Sequence, residues 1–267
     1  MSPGAHVAQV EDETEAMWPL VDMHCHLDRM SNGEQVALEA GIGVLCTTVT
    51  PDDFESARAR FAHLSHVRVA AGLHPWWVED SPSGIERTKT AAQAAAQNDY
   101  VGEIGLDFSY AHQDTANAQI EAFSRIVAAC ADHRRAGRVL SIHAVQSAHV
   151  ALDVLERHGL TRQACCIFHW FSGTSDDFAR LRNLGCYISV NERMLATKRG
   201  REYARQIPLE RLLLETDAPT QLDSAHSAQA LRTSLDSTLR ALAELRAENE
   251  NELAACIAQA SSQLLHL

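Results

Sequence analysis

The sequence predicts an α/β protein built as one (β/α)8 TIM barrel, and three observations predict it. From residue 19 onward, short runs rich in Val, Ile and Leu alternate with longer amphipathic stretches rich in Ala, Glu, Gln and Arg, which is the pattern of βα units around a parallel sheet. Eight such runs fit into the 267 residues, the size of an eight-unit barrel. Residues able to bind metals or move protons end the first, fourth, fifth, sixth and eighth runs. An open doubly wound sheet would instead gather them at one switch point.

In chain order, strand one spans 19–24 and is followed by a helix over 33–41. Strand two, 42–49 (IGVLCTTV), leads to a helix over 52–64 that starts at Pro51-Asp52-Asp53, with N-cap and first-turn acids. Strand three, 67–73 (VRVAAGL), precedes a helix over 84–97, and strand four, 100–106 (YVGEIGL), a helix over 115–136 that Gly137 ends. Strand five, 138–143 (RVLSIH), is paired with a helix over 146–158 closed by Gly159, and strand six, 164–170 (ACCIFHW), with a helix over 175–184 closed by Gly185. Strand seven, 185–190, and strand eight, 211–217 (RLLLETD), carry helices over 197–206 and 225–247, with a last helix over 249–264.

The stretch 18–267 therefore reads as one barrel domain. Residues 1–17 are polar and acidic and lack the basic start and apolar centre of a signal peptide, so they read as a loose tail. No run of about 18 apolar residues occurs, which excludes a transmembrane helix from the expectation. Lys and Arg number 23 against 35 Asp and Glu, a formal charge of −12, and this argues against a protein that grips nucleic acid through a broad basic surface. The seven cysteines are scattered without CxxC spacing, as expected of reduced thiols in a cytoplasmic protein.

The chemistry starts at Val21-Asp22-Met23-His24-Cys25-His26, where an apolar run ends in two histidines spaced i, i+2. In a strand that spacing turns both side chains the same way, toward one metal ion. With 14 His in the chain, chance alone supplies about 0.7 such pairs, so the pair gains meaning only from the other strand ends. Strand three adds His74, strand four Glu103 and Asp107, strand five His143, strand six His169 and strand eight Asp217. Any one of these can be an ordinary core or turn residue, but together they are a metal-site inventory at the C-terminal mouth of one barrel. Glu103 is the candidate to bridge two cations and Asp217 the candidate to take a proton from water. Ser172 and Gly173 lie in a turn before a helix, where free N–H groups can hold a phosphate, and Trp76 and Trp77 can stack on a base. His63 and His66 read as solvated surface, and Cys165-Cys166 as packing within a strand.

The ordered set DMHCH, GLHP, GEIGLD, SIHA, FHWFSG and ETDAP resembles the TatD family of metal-dependent hydrolases, across nearly the whole chain after residue 17. The resemblance implies a TIM barrel with two divalent ions and DNase activity, often 3′ to 5′ exonuclease on single strands; the imidazole and carboxylate ligands leave the metal open between Zn²⁺, Mn²⁺ and Mg²⁺. It implies His24, His26 and Asp217 around one ion, His143 and His169 around the other, and Glu103 between them. Gln119 and Phe123 also match a family feature. The chain departs from the family pattern where basic residues are common. Phe108-Ser109-Tyr110-Ala111 follows the GLD segment, Val145 stands two places beyond His143, and Thr220 to Ser224 follows the last motif.

The function expected is a metal-dependent hydrolase, a phosphodiesterase or deoxyribonuclease that acts on single-stranded or frayed DNA ends through a two-metal-activated water. Catalysis falls to Asp217 and Glu103, and substrate contacts to His74, Trp76, Asp107, Ser172 and Gly173. The partner expected is a nucleic acid end or small phosphodiester, with no membrane and protein partners left open. The same ligands also suit an amide or ester, for example an aminoacyl-tRNA linkage, or a metal-binding subunit of a larger assembly. With no arginine after Asp107 or at Val145, few phosphate contacts are expected.

Overall fold

Both Val21–Cys25 (β1) and Gly43–Thr47 (β2) are buried at every residue, as strands are when barrel interior covers one face and helices the other. Six more follow in parallel: Val67–Leu73 (β3), Tyr100–Asp107 (β4), Val139–Val145 (β5), Cys165–His169 (β6), Tyr187–Val190 (β7) and Leu212–Leu214 (β8). The order in the sheet is β1 to β8 without a crossover. This computed structural model describes residues 18–267. The loose tail expected at 1–17 lies outside the described residues.

Helices alternate with the strands: Gly33–Ala40 (α1), Pro51–Arg60 (α2), Pro82–Gln97 (α3), Ala116–Asp132 (α4), Ala148–Arg157 (α5), Ser175–Asn183 (α6), Glu192–Leu195 (α7), Lys198–Gln206 (α8), Ala228–Arg246 (α9) and Glu250–Leu265 (α10). The short α7, capped by Asn191, was not expected. As expected from the acids after Pro51, α2 starts at a capped end, with Thr50 accepting from the Asp53 N–H. It stops at Arg60 rather than 64. Among the described residues no helix is long and apolar enough to cross a membrane.

An inner apolar cluster of Val21, Met23, Leu45, Ala70, Val139, Ile167 and Leu213 fills the barrel, and Leu265 of α10 packs into it. The larger cluster lies between strands and helices. Two irregularities in the ladder aim the polar residues. Between Asp22 and Cys25, β1 carries one residue more than β2, and between Val101 and Ile104, β4 carries one more than both β3 and β5. Such bulges redirect the side chains they contain. The first lets Met23 join the inner cluster while His24 faces the mouth, and the second holds Glu103. Gly105, with φ 143°, then lets β5 approach, since a Cβ there would lie 2.0 Å from the His143 carbonyl oxygen.

The seam between β8 and β1 explains why strand eight ends at Leu214 and not at 217. The Thr216 N–H, which would continue the strand, donates to Asp22 Oδ1 at 3.0 Å, and the Thr216 hydroxyl donates to Oδ2 at 2.6 Å. Burial pushes the Asp22 carboxyl up to about 7, against these bonds. Beyond it Asp217 turns to φ 54°, and the Asp217 N–H and the His26 N–H close the barrel on the carbonyls of His24 and Ala218. His66 corrects the sequence reading. It is buried beside Trp18, and its Nε2 lies 3.0 Å from the Ala37 carbonyl. His63 is exposed, as expected, beside Glu34.

Candidate metal centre

The second bulge makes Glu103 the centre of the mouth, where it is 1% exposed. Its Oε2 lies 3.3 Å from His24 Nε2 and 3.2 Å from His26 Nε2. Its Oε1 lies 2.7 Å from His143 Nδ1, 2.9 Å from His169 Nε2 and 3.2 Å from His74 Nε2. Asp217 reaches the first group, with Oδ1 3.8 and 3.7 Å from the Nε2 atoms of His24 and His26. One carboxylate thus faces two histidine groups, one with each oxygen.

Neighbours decide which ring nitrogen points inward. His26 donates from Nδ1 to the Thr47 carbonyl at 2.8 Å, which turns Nε2 toward the centre. His24 Nδ1 is 2.7 Å from Ser141 Oγ. His143 sets Nε2 against Asp107 Oδ2 at 3.3 Å, and Asp107 is steadied by the Trp76 indole N–H at 2.7 Å and the Ser109 N–H at 2.8 Å. Gln119 holds the same corner: its Oε1 accepts the Asp107 N–H and its Nε2 donates to the His112 carbonyl. His74 is different. Its Nδ1 accepts the Trp76 N–H at 3.1 Å, so the proton of the neutral ring sits on Nε2 and is aimed at Glu103.

The electrostatics follow from the acids Glu103, Asp217 and Glu215 gathered in one place. Burial opposes ionisation of Glu103, but His74, His24 and His169 around it hold its carboxyl well below the usual range. Burial also disfavours protonated His26, yet Glu103 and Asp217 lift it to about 9. His169 is raised against burial by Glu103 and Glu215. Burial, with His143 and His26 beside it and against the pull of Glu103, takes His74 down to about 4, so it is neutral near pH 7.

These residues fit divalent cations. His24 Nε2 and His26 Nε2 are 3.3 Å apart, and His143 Nδ1 and His169 Nε2 are 3.2 Å apart. Two nitrogens bound to one ion at about 2.1 Å in tetrahedral geometry stand about 3.4 Å apart. His169 Nδ1, buried without a hydrogen-bond partner, has Glu215 Oε1 3.6 Å away. The acids that draw protons onto His26 and His169 draw metal ions by the same charge.

A cavity of about 750 Å³ opens over this centre, in the usual size range of ligand sites. His26, His74, Trp76, Glu103, Asp107, His143, His169, Ser172 and Asp217 all line it, while His24 lies beneath, fully buried. Gly173 itself does not line it, although Ser172 next to it in the same turn does. The Thr174 N–H is taken by Asp177 Oδ2 in a capping box that starts α6. A Cβ on Gly173 would lie 2.6 Å from the Phe171 ring, and its carbonyl accepts the Tyr203 hydroxyl, so packing explains this glycine.

Three residues escaped the sequence reading. Glu215 is fully buried, and Ser189 and Asn191 donate hydrogen bonds to it; its signal was the i, i+2 spacing to Asp217. Arg193 lines the cavity 3.5 Å from Asp217, with its guanidinium 5.2 Å from the centre of the Trp170 ring. Arg29 lines the opposite part, against Trp77. The segments after Asp107, at Val145 and at 220–224 carry no arginine, as read from the sequence, but Arg29 and Arg193 reach the cavity from the segments after β1 and β7.

The family profile described as TatD related DNase matches residues 21–266. A 3'-5' ssDNA/RNA exonuclease TatD from Edwardsiella piscicida is 33% identical over 195 residues, 68% of this chain and 70% of that protein. The uncharacterized metal-dependent hydrolase YjjV from Escherichia coli (strain K12) is 29% identical over 253 residues, 88% of this chain and 93% of that one. The crystal structure of YjjV, a TatD homologue, superposes with a TM-score of 0.70 at 24% identity, covering 94% of this chain and 99% of that chain. A hydrolase TatD family protein from Entamoeba histolytica gives 0.70 at 15% identity, over 92% and 97%. Both structures share the barrel.

Proposed function

This chain belongs to the TatD-related DNase family, and from that premise we propose that it binds two divalent ions and hydrolyses a phosphodiester at a single-stranded or frayed nucleic acid end. The observation that carries this reading is Glu103, whose two oxygens face separate histidine groups. In this reading His24, His26 and Asp217 would hold one ion, His143 and His169 the other, and Glu103 would contribute an oxygen to each. Imidazole and carboxylate donors suit Zn²⁺ or Mn²⁺ and also admit Mg²⁺. When bound, the ions offset the charge that develops on the phosphoryl oxygens.

The chain's own groups do the rest. Asp217, held by Arg193 at 3.5 Å, takes the proton of the attacking water on its carboxylate. His74 Nε2–H donates to a substrate oxygen near Glu103, and Asp107 keeps His143 and Trp76 in place. Trp76, 53% exposed at the rim, offers a fixed aromatic surface to a terminal base, beside Ser172. All seven thiols are free and five are buried, which supports a reducing, cytoplasmic location.

The test is metal analysis of the purified protein together with assays on an end-labelled single strand, a closed circular duplex, and amide and ester substrates. About two ions per chain, with trimming of the single strand and little cutting of the circle, is the expected result. A metal content near zero with no gain on adding Zn²⁺, Mn²⁺ or Mg²⁺, or turnover confined to the amide or carboxylic ester, would overturn the proposal. His74→Ala should leave metal content unchanged and raise KM about tenfold, the worth of one hydrogen bond to a charged group. Loss of an ion in that variant would make His74 a ligand instead.

A further inference from the structure

Beside the cavity lies a second cleft of about 370 Å³, and the two share Trp170 and Ser172 as a common wall. Lys198 and Arg199, at the start of α8, line its far side. Both are exposed, and among the described residues neither has a carboxylate within ion-pair distance. We propose, on the nuclease reading above, that this cleft holds the phosphate next in line from the scissile one, so that a single strand leaves the cavity over the β6–α6 and β7–α8 loops.

The charge balance selects this side. Arg29, on the other part of the cavity wall, is 2.7 Å from Asp53 Oδ2 and 3.5 Å from Asp28 Oδ2, so two carboxylates already neutralise it. Arg193, against Trp170, is shared with Asp217. Lys198 and Arg199 have no carboxylate partner among the described residues, in a chain whose total is −12. A polyanion with its end at the metal centre meets uncompensated positive charge in this direction. A strand gripped at two adjacent points is also held without the long basic face that the chain lacks.

The test is equilibrium binding of a fluorescein-labelled oligothymidylate, followed by anisotropy against salt, for wild type, for Lys198→Ala with Arg199→Ala, and for Arg134→Ala with Arg157→Ala. The last pair removes the same charge from the loop after α4 and from the end of α5, at the opposite rim of the barrel. The first pair should weaken binding about tenfold and reduce the salt slope by about 0.7, the value of one single-strand phosphate contact. The control pair should change neither. Equal weakening by both pairs, no weakening by either, or no strand binding by wild type would overturn the proposal. Hydrolysis of bis(4-nitrophenyl) phosphate, too small to reach the cleft, should be equal in all three proteins. Its absence in wild type would count against the hydrolytic reading alone, since strand binding still decides the cleft.

Discussion

Glu103→Gln should lower turnover by on the order of 10³-fold, or about 4 kcal/mol, whereas His169→Ala should cost about 10²-fold. The difference follows from where each side chain stands. His169 serves one histidine group, with Nε2 3.2 Å from His143 Nδ1. Glu103 touches both groups, Oε2 at 3.2 and 3.3 Å and Oε1 at 2.7 to 3.2 Å from their nitrogens. Glutamine has nearly the same shape, so the barrel should keep its melting temperature. It removes the negative charge and turns one oxygen into an NH₂ group, which has no lone pair to offer a cation on whichever side the amide places it. Both ions should be weakened together. Metal content and turnover measured on both variants decide it: similar residual rates, or loss of a single ion from Glu103→Gln, would contradict a bridging carboxylate.

Asp217→Asn should reduce kcat by about 10² to 10⁴-fold, the usual contribution of a positioned general base, with a small change in KM. Asp217 lies at the edge of the centre, 3.7 to 3.8 Å from the inward nitrogens of His24 and His26. Burial raises its pKa above the ordinary range, while His169 and His26 oppose the shift, so its carboxylate is more basic than a free aspartate. Asparagine keeps the size and cannot accept the proton. The substrate-facing groups His74 and Trp76 are untouched, which is why binding should survive. Kinetics in saturating Mn²⁺ separate the two roles of the residue. If added metal restores kcat to the wild-type value, Asp217 is a ligand and not the base.

Much of this centre was legible in the chain because its signals are local. An apolar run that ends in histidine or an acid marks both a strand and its C-terminal end, so His24, His26, His74, Glu103, Asp107, His143, His169 and Asp217 could be assigned to one barrel mouth. Gly159 and Gly185, at positive φ after α5 and α6, ended helices where the sequence put them. The details that failed were not local. His66 at the end of α2 has an exposed neighbour in His63, and only the packing of Trp18 and the Ala37 carbonyl buries it.

Residue order and apolar periodicity alone determined the eight alternating units, the acidic surface and the types of group at the strand ends, since each depends on side chains a few positions apart. Tertiary structure decided how those groups meet. The bulges at Glu103 and beside His24 depend on the neighbouring strands' register. Strand eight stops at Leu214 because Asp22, 194 residues away, takes the Thr216 N–H. Arg29 and Arg193 become neighbours of one cavity, and Gly173 leaves it for Phe171 and Tyr203. Barrel closure brings such distant segments together, and the partner of each side chain is then set by geometry that no short stretch of sequence contains.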